Sequence, residues 1–135
     1  MTGRRLAGSL LVILVLAGGY IAVRRFMQPP SQPTVDEGRA AVEAFLDRLQ
    51  KNDPGGAWDM ASPELKSIEG RQSFVTKAKK TPFFREPLRF NSIQDVQIGD
   101  SQRTEFLYAS TKSGKILRVL IAHDRGAWKV DRLAY

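Results

Sequence analysis

The apolar positions of the chain form one unbroken run near the start and a periodic pattern after residue 33. The run, from Leu6 to Val23, holds 18 uncharged residues and has a pair of arginines at each end. A helix rises about 1.5 Å per residue, so the run spans about 27 Å, close to the thickness of a bilayer core. We therefore predict an N-terminal anchor of residues 1–27, with a single transmembrane helix over about 6–23. The expected flanking residues are Arg4, Arg5, Tyr20, Arg24 and Arg25.

A cleaved signal peptide is the competing interpretation, with Val15 and Ala17 as the small residues before the cut. We favour an uncleaved anchor because the apolar run is longer than the roughly 7–15 residues of a signal-peptide core. Arginines are balanced across the run, so the positive-inside comparison leaves the orientation open. A short tail followed by a long domain is typical of a signal anchor. We expect a single-pass protein of the inner membrane whose C-terminal domain is periplasmic or otherwise outside the cytoplasm.

Residues 28–33 contain three prolines and predict a stiff linker, and residues 34–135 have the pattern of a soluble domain. Thr34 and Glu37 form a predicted capping box at the start of a helix. Asn52–Gly56 is expected to end that helix, a short helix follows around Trp58, and Ser62-Pro63 indicates another start, before a helical stretch that ends ahead of Thr81-Pro82. Removing residues 1–27 is expected to leave a folded domain. The predicted buried stripe of the first helix is Val42, Phe45, Leu46 and Leu49.

After Pro87 the apolar positions alternate, which predicts strands. Glycine-containing turns at Gly99, Gly114 and Gly126 separate them. Helices followed by an antiparallel meander of three or four strands indicate an α+β fold, with helices packed on a curved sheet. The predicted strands are Ile93–Ile98, Arg103–Thr111, Ile116–His123 and Ala127–Tyr135.

Two segments carry a resemblance to the nuclear transport factor 2-like superfamily, the cone-shaped fold that SnoaL-like proteins and ketosteroid isomerase share. They are residues 41–66, AVEAFLDRLQKNDPGGAWDMASPELK, and residues 126–135, GAWKVDRLAY. The resemblance extends over about residues 35–135 and implies helices on a curved antiparallel sheet with a hollow side. That superfamily includes enzymes, ligand binders and non-catalytic envelope proteins, so the resemblance implies a fold far more than a function.

Composition and charge exclude several classes of chemistry and partner. The chain has no cysteine and one histidine, which excludes thiol chemistry and argues against a histidine metal site. We expect no cofactor and no metal. The net charge is +7, but four cations flank the anchor, so the remaining 17 cations and 14 acids leave the domain at 17 − 14 = +3. Residues 34–70 carry −4 and residues 71–135 carry +7. We expect no nucleic-acid partner.

Three polar residues are candidates for a pocket in the cone. His123 follows the alternation of Val119 and Ile121 and is either a general base at the pocket mouth or a packed residue beside a turn. Tyr108 and Asp59 are a hydroxyl and a carboxyl of the types that an isomerase-like site uses. Nothing pairs these residues at a catalytic spacing, so we predict no catalytic residues and no enzyme activity.

A basic cluster occupies 13 positions around two phenylalanines. One interpretation is a docking surface for anionic lipid or for an acidic partner, with the two rings as anchors. The other is a solvated helix end, where cations are favoured, followed by phenylalanines of the core. The residues concerned are Lys77, Lys79, Lys80, Phe83, Phe84, Arg85 and Arg89.

These patterns favour a membrane-anchored envelope protein that acts as a non-catalytic accessory, assembly or scaffold subunit and contacts other membrane proteins. The alternative is a binder of a small apolar ligand, or an isomerase or dehydratase acting on one, in the hollow of the cone. A deep apolar cavity would favour the alternative. An interior filled by Phe, Trp and Leu side chains would favour the scaffold.

Overall fold

The computed structural model describes residues 32–135 of the chain. The predicted transmembrane helix, its five flanking residues and most of the linker lie outside the described residues. Within residues 32–135, no helix combines the length and the apolar character needed to cross a bilayer.

The longest helix, α1, covers Val35–Gln50 and begins at the predicted capping box. The Glu37 backbone N–H donates to the Thr34 hydroxyl at 3.2 Å, and the Thr34 backbone N–H donates to the Glu37 carboxylate at 3.1 Å. Two backbone donors at the helix start are thereby satisfied. The predicted stripe of Val42, Phe45, Leu46 and Leu49 is buried, which confirms the helical period read from the sequence.

Three shorter α-helices and a 3₁₀ helix follow, and the first begins earlier than the sequence predicts. The segment Asn52–Gly56 was expected to be a loop, but α2 covers Pro54–Asp59. Asp53 caps this helix, since its carboxylate accepts the Gly56 backbone N–H at 3.0 Å, and Pro54 occupies the first helical position. These capping interactions offset the poor helix propensity of the two glycines. The remaining helices are α3 (Pro63–Ile68), α4 (Arg71–Lys79) and a 3₁₀ helix (Pro82–Arg85).

Four strands form one antiparallel meander in the order β1-β2-β3-β4, as predicted. β1 starts five residues before the predicted Ile93, because mostly exposed polar positions and an extra residue at Asn91 conceal its alternation. A second irregularity lies in β4, where Asp131 has no partner opposite it in β3. Such bulges bend a strand and increase its twist. The strands are β1 (Leu88–Ile98), β2 (Ser101–Ser110), β3 (Ile116–Asp124) and β4 (Ala127–Ala134).

The helices pack on one face of the sheet, which gives the α+β architecture expected from the sequence. Alternate residues of β2 and β3, including Phe106, Tyr108, Leu117 and Val119, point to that face and are buried. Gly38 of α1 lies directly over the Phe106 ring, so closely that a Cβ atom at residue 38 would overlap it. The absence of a side chain at this position therefore permits the close approach of α1 to the sheet.

Candidate functional site

The space between α1 and the sheet is occupied by side chains. Phe45, Phe106 and Tyr108 are almost completely buried and belong to one continuous hydrophobic core. The Phe45 ring meets Phe74 of α4 edge to face, with centroids 6.2 Å apart, and Phe90 of β1 meets Tyr108 in the same manner at 5.7 Å. This is the packing expected of a structural interior.

An apolar groove lies to one side of this core, between α3, α4, the 3₁₀ helix and the end of β4. Its volume is about 190 Å³. Two large apolar side chains on its border are unusually exposed, Ile68 at 68% and Tyr135 at 56%. We call this recess the β4 groove. Its apolar wall is formed by Leu65, Phe74, Ala78, Phe84 and Leu133.

Contacts of the short helices with the free edge of β4 position the groove. The Ser62 backbone N–H donates to the Val130 carbonyl at 2.9 Å, which holds the start of α3 against the strand. The Trp58 indole N–H donates to the Glu69 carbonyl at 2.8 Å and fixes the turn between α3 and α4. Ile68 therefore sits at the end of a tethered helix rather than on a free loop.

A buried polar network lies next to the groove and includes one of its lining residues, Asp131. One carboxylate oxygen accepts the Ser62 hydroxyl at 2.5 Å, and the other accepts Nη2 of Arg103 at 3.1 Å. Arg103 also donates to the Ile121 carbonyl at 2.8 Å. Asp131 is only 2% exposed, so the hydrogen bonds from Ser62 and Arg103 have to offset the cost of removing this carboxylate from water. The network ties the bulge of β4 to the N-cap of α3.

The three polar residues expected in a cone pocket belong to separate groups of contacts. The Tyr108 hydroxyl donates to Glu43 of α1 at 3.3 Å, and burial together with the Glu43 charge raises the pKa of this phenol. Asp59 forms a surface ion pair with Arg71 at 2.9 Å, and these hydrogen bonds lower the pKa of the Asp59 carboxyl. His123 packs edge to face on Trp128, with centroids 5.1 Å apart.

These contacts give each candidate a structural partner. The half-buried His123 lies beside the turn that joins β3 to β4. Among residues 32–135, no group of three or more histidine and acidic side chains is placed to hold a metal ion.

The basic cluster is divided by the structure. The cations among its members are exposed, whereas Phe83 and Phe84 are buried. The interpretation of these rings as exposed anchors for a lipid or an acidic partner is therefore wrong, because the 3₁₀ helix turns both into the core. Both rings also pack against the exposed Tyr135. Arg89 stands apart on β1. We call the remaining four cations, Lys77, Lys79, Lys80 and Arg85, the basic surface.

The β4 groove and the Asp131 network are absent from the sequence predictions. Only Ile68 gives a local signal, since it is the single branched apolar residue within the polar stretch 66–73. No protein-family model matches the chain, and no curated protein matches its sequence.

Proposed function

We propose that the protein is a single-pass, membrane-anchored envelope protein whose domain lies outside the cytoplasm. Its role is that of a non-catalytic accessory, assembly or scaffold subunit that contacts other membrane proteins. The observation that carries this proposal is the β4 groove, a recess with an apolar wall and charged residues at Glu69, Lys77, Asp131 and Arg132, on a domain whose interior is packed with side chains.

The size of the groove favours a protein partner over a free small molecule. Pockets for small-molecule ligands measure about 300–1,000 Å³. The groove holds about 190 Å³, enough for one large side chain. Protein interfaces concentrate their binding energy where single aromatic or aliphatic side chains enter such recesses. The exposed Ile68 and Tyr135 on the border would be covered by the same partner.

The finer assignments of fold and location are part of this proposal. The helical layer on a four-stranded antiparallel meander agrees in outline with the nuclear transport factor 2-like resemblance, and the bulges at Asn91 and Asp131 would bend the sheet toward the shape of that cone. The uncharged run 6–23 supports the membrane anchor.

Site-specific photo-crosslinking in living cells tests the docking role. With a photoreactive phenylalanine derivative at position 68, we expect adducts whose second component is an integral membrane protein, because this position borders the groove. The matched control is position 93, where Ile93 is also exposed, at 41%, but lies on β1 outside the groove. Equal adducts from both positions, or adducts from position 68 only with soluble proteins, would contradict the proposal.

The anchor is tested on the native chain in isolated membranes. We expect the protein to resist alkaline carbonate extraction and to retain residues 6–23, because an uncleaved run of this length remains in the bilayer. Mass spectrometry of the purified chain determines its first residue. A mature chain that begins at Gly18 or later would instead establish a cleaved signal peptide.

A further inference from the structure

We infer that the β4 groove and the basic surface together bind an acidic polypeptide segment, with one apolar side chain in the groove and carboxylates beside it on the cations. This inference rests on the proposed function, because it names the chemistry of the segment that the partner presents.

The two features are joined through Lys77. Its side chain lines the β4 groove and also a shallow depression along α4, which Lys80 lines as well. A segment that leaves the groove past Lys77 therefore reaches Lys80, the next cation of the basic surface. Ile68, Tyr135, Lys77 and Lys80 therefore border two adjoining recesses that share the Lys77 side chain.

Lys77, Lys80 and Arg132 line the two recesses together with two acids, Glu69 and the buried Asp131. Asp131 is already paired with Arg103. Lys77 meets Glu69 at 3.8 Å, a long contact in which the Lys77 side chain stays 61% exposed. Within residues 32–135, none of Lys79, Lys80 and Arg85 forms an ion pair. The surplus agrees with the net charge of +7 on residues 71–135. A partner of opposite charge is therefore favoured, and one of equal charge is disfavoured.

The stabilisation of a helix C-terminus accounts for only part of this charge. Lys77 and Lys79 lie in the last turn of α4, where cations interact favourably with the helix dipole, and Arg85 donates to the Lys79 carbonyl at 3.4 Å. This role does not explain why an exposed Ile68 and the β4 groove adjoin Lys77. A segment with both apolar and acidic residues would satisfy both features.

The shape of the site favours a polypeptide over a bilayer surface. The groove is a recess between α3 and β4 that a single side chain can enter. A membrane surface would instead be met by several projecting rings, but here Phe83 and Phe84 are buried at 5% and 3% exposure and, among the rings of residues 32–135, only Tyr135 projects, at 56%. Anionic lipid is therefore the alternative ligand, and the experiment must distinguish it from an acidic peptide.

A displayed library of random 12-residue peptides, selected on the full chain in phosphatidylcholine nanodiscs, tests the inference. We expect enrichment of peptides with one aromatic or leucine residue and at least two neighbouring aspartates or glutamates. In fluorescence anisotropy, the affinity for the selected peptides should fall as the salt concentration rises, because the cations of the basic surface are exposed to solvent. Failure to enrich acidic peptides, or enrichment of basic ones, would overturn the inference.

Surface variants separate the two halves of the site. Lys77→Glu with Lys80→Glu is expected to weaken binding of the selected peptides by at least about tenfold, and Ile68→Asp by about as much. The matched control Lys112→Glu changes an exposed lysine in the β2–β3 turn and should leave binding unchanged. Equal losses in all three variants would count against a localised site.

The remaining outcomes distinguish the alternatives. If the chain enriches no acidic peptide but binds phosphatidylglycerol vesicles, and Lys77→Glu with Lys80→Glu abolishes that binding, the basic surface is a lipid site and the inference is wrong. Membrane-protein adducts from position 68 without acidic peptides would refute this inference alone. Acidic peptides without such adducts would instead refute the proposed function.

Discussion

Replacing Asp131 with alanine is expected to lower the free energy of unfolding by about 3–5 kcal/mol, because it removes the carboxylate that compensates Arg103. The Asp131 side chain is 1% exposed and that of Arg103 is 23% exposed. Domains have a total stability of about 5–15 kcal/mol, so the variant should lose a large fraction of it. Urea denaturation of residues 28–135, followed by the fluorescence of the two tryptophans, measures the difference.

Two further variants show whether the network acts through charge or through the cap of α3. Ser62→Ala removes a hydroxyl that accepts the Leu65 backbone N–H, and it should cost about 1–2 kcal/mol. The pair Arg103→Met with Asp131→Leu should recover most of the stability lost in Asp131→Ala, since apolar replacements of both partners leave no buried charge. If Asp131→Ala lowered the free energy of unfolding by less than about 1 kcal/mol, the Arg103 charge would have to be stabilised by other groups or by water.

The helices that the sequence predicted correctly are those with an unambiguous local start signal. Thr34 with Glu37 and Ser62 with Pro63 define the starts of α1 and α3 through contacts within one turn of chain. Asp53 with Pro54 is a signal of the same kind, but the following Gly55 and Gly56 led to a loop prediction. The cap hydrogen bond from Gly56 outweighed glycine propensity there.

The groove and the polar network could not be predicted, because they depend on contacts between distant parts of the chain. Leu65 and Leu133 share one wall of the groove although 68 positions separate them. Asp131 is buried next to Val130 because β4 has a bulge at this point, and strict alternation would place the two residues on opposite faces. A bulge of this kind depends on the pairing register with β3, which the sequence of β4 alone does not specify.

Replacing Phe106 with alanine is expected to lower the free energy of unfolding by about 3–5 kcal/mol, because it opens a cavity beneath α1. The ring is fully buried, lies under Gly38 and is backed by Phe90, with ring centroids 6.4 Å apart. Urea denaturation of residues 28–135 measures this loss. It also tests whether the interior is a packed core, because a domain built around a ligand cavity would tolerate the truncation.

The decisive comparison introduces Gly38→Ala into the native domain and into the Phe106→Ala variant. In an exposed helix this change stabilises by about 1 kcal/mol, but here the new methyl group would overlap the Phe106 ring, and overpacking costs about 1–3 kcal/mol. We therefore expect Gly38→Ala to destabilise the native domain and to stabilise the Phe106→Ala variant, which provides space for the methyl group. The same sign in both backgrounds would show that α1 shifts freely over the sheet. A reversal of sign would establish that the contact between residue 38 and this ring determines how closely the helix packs.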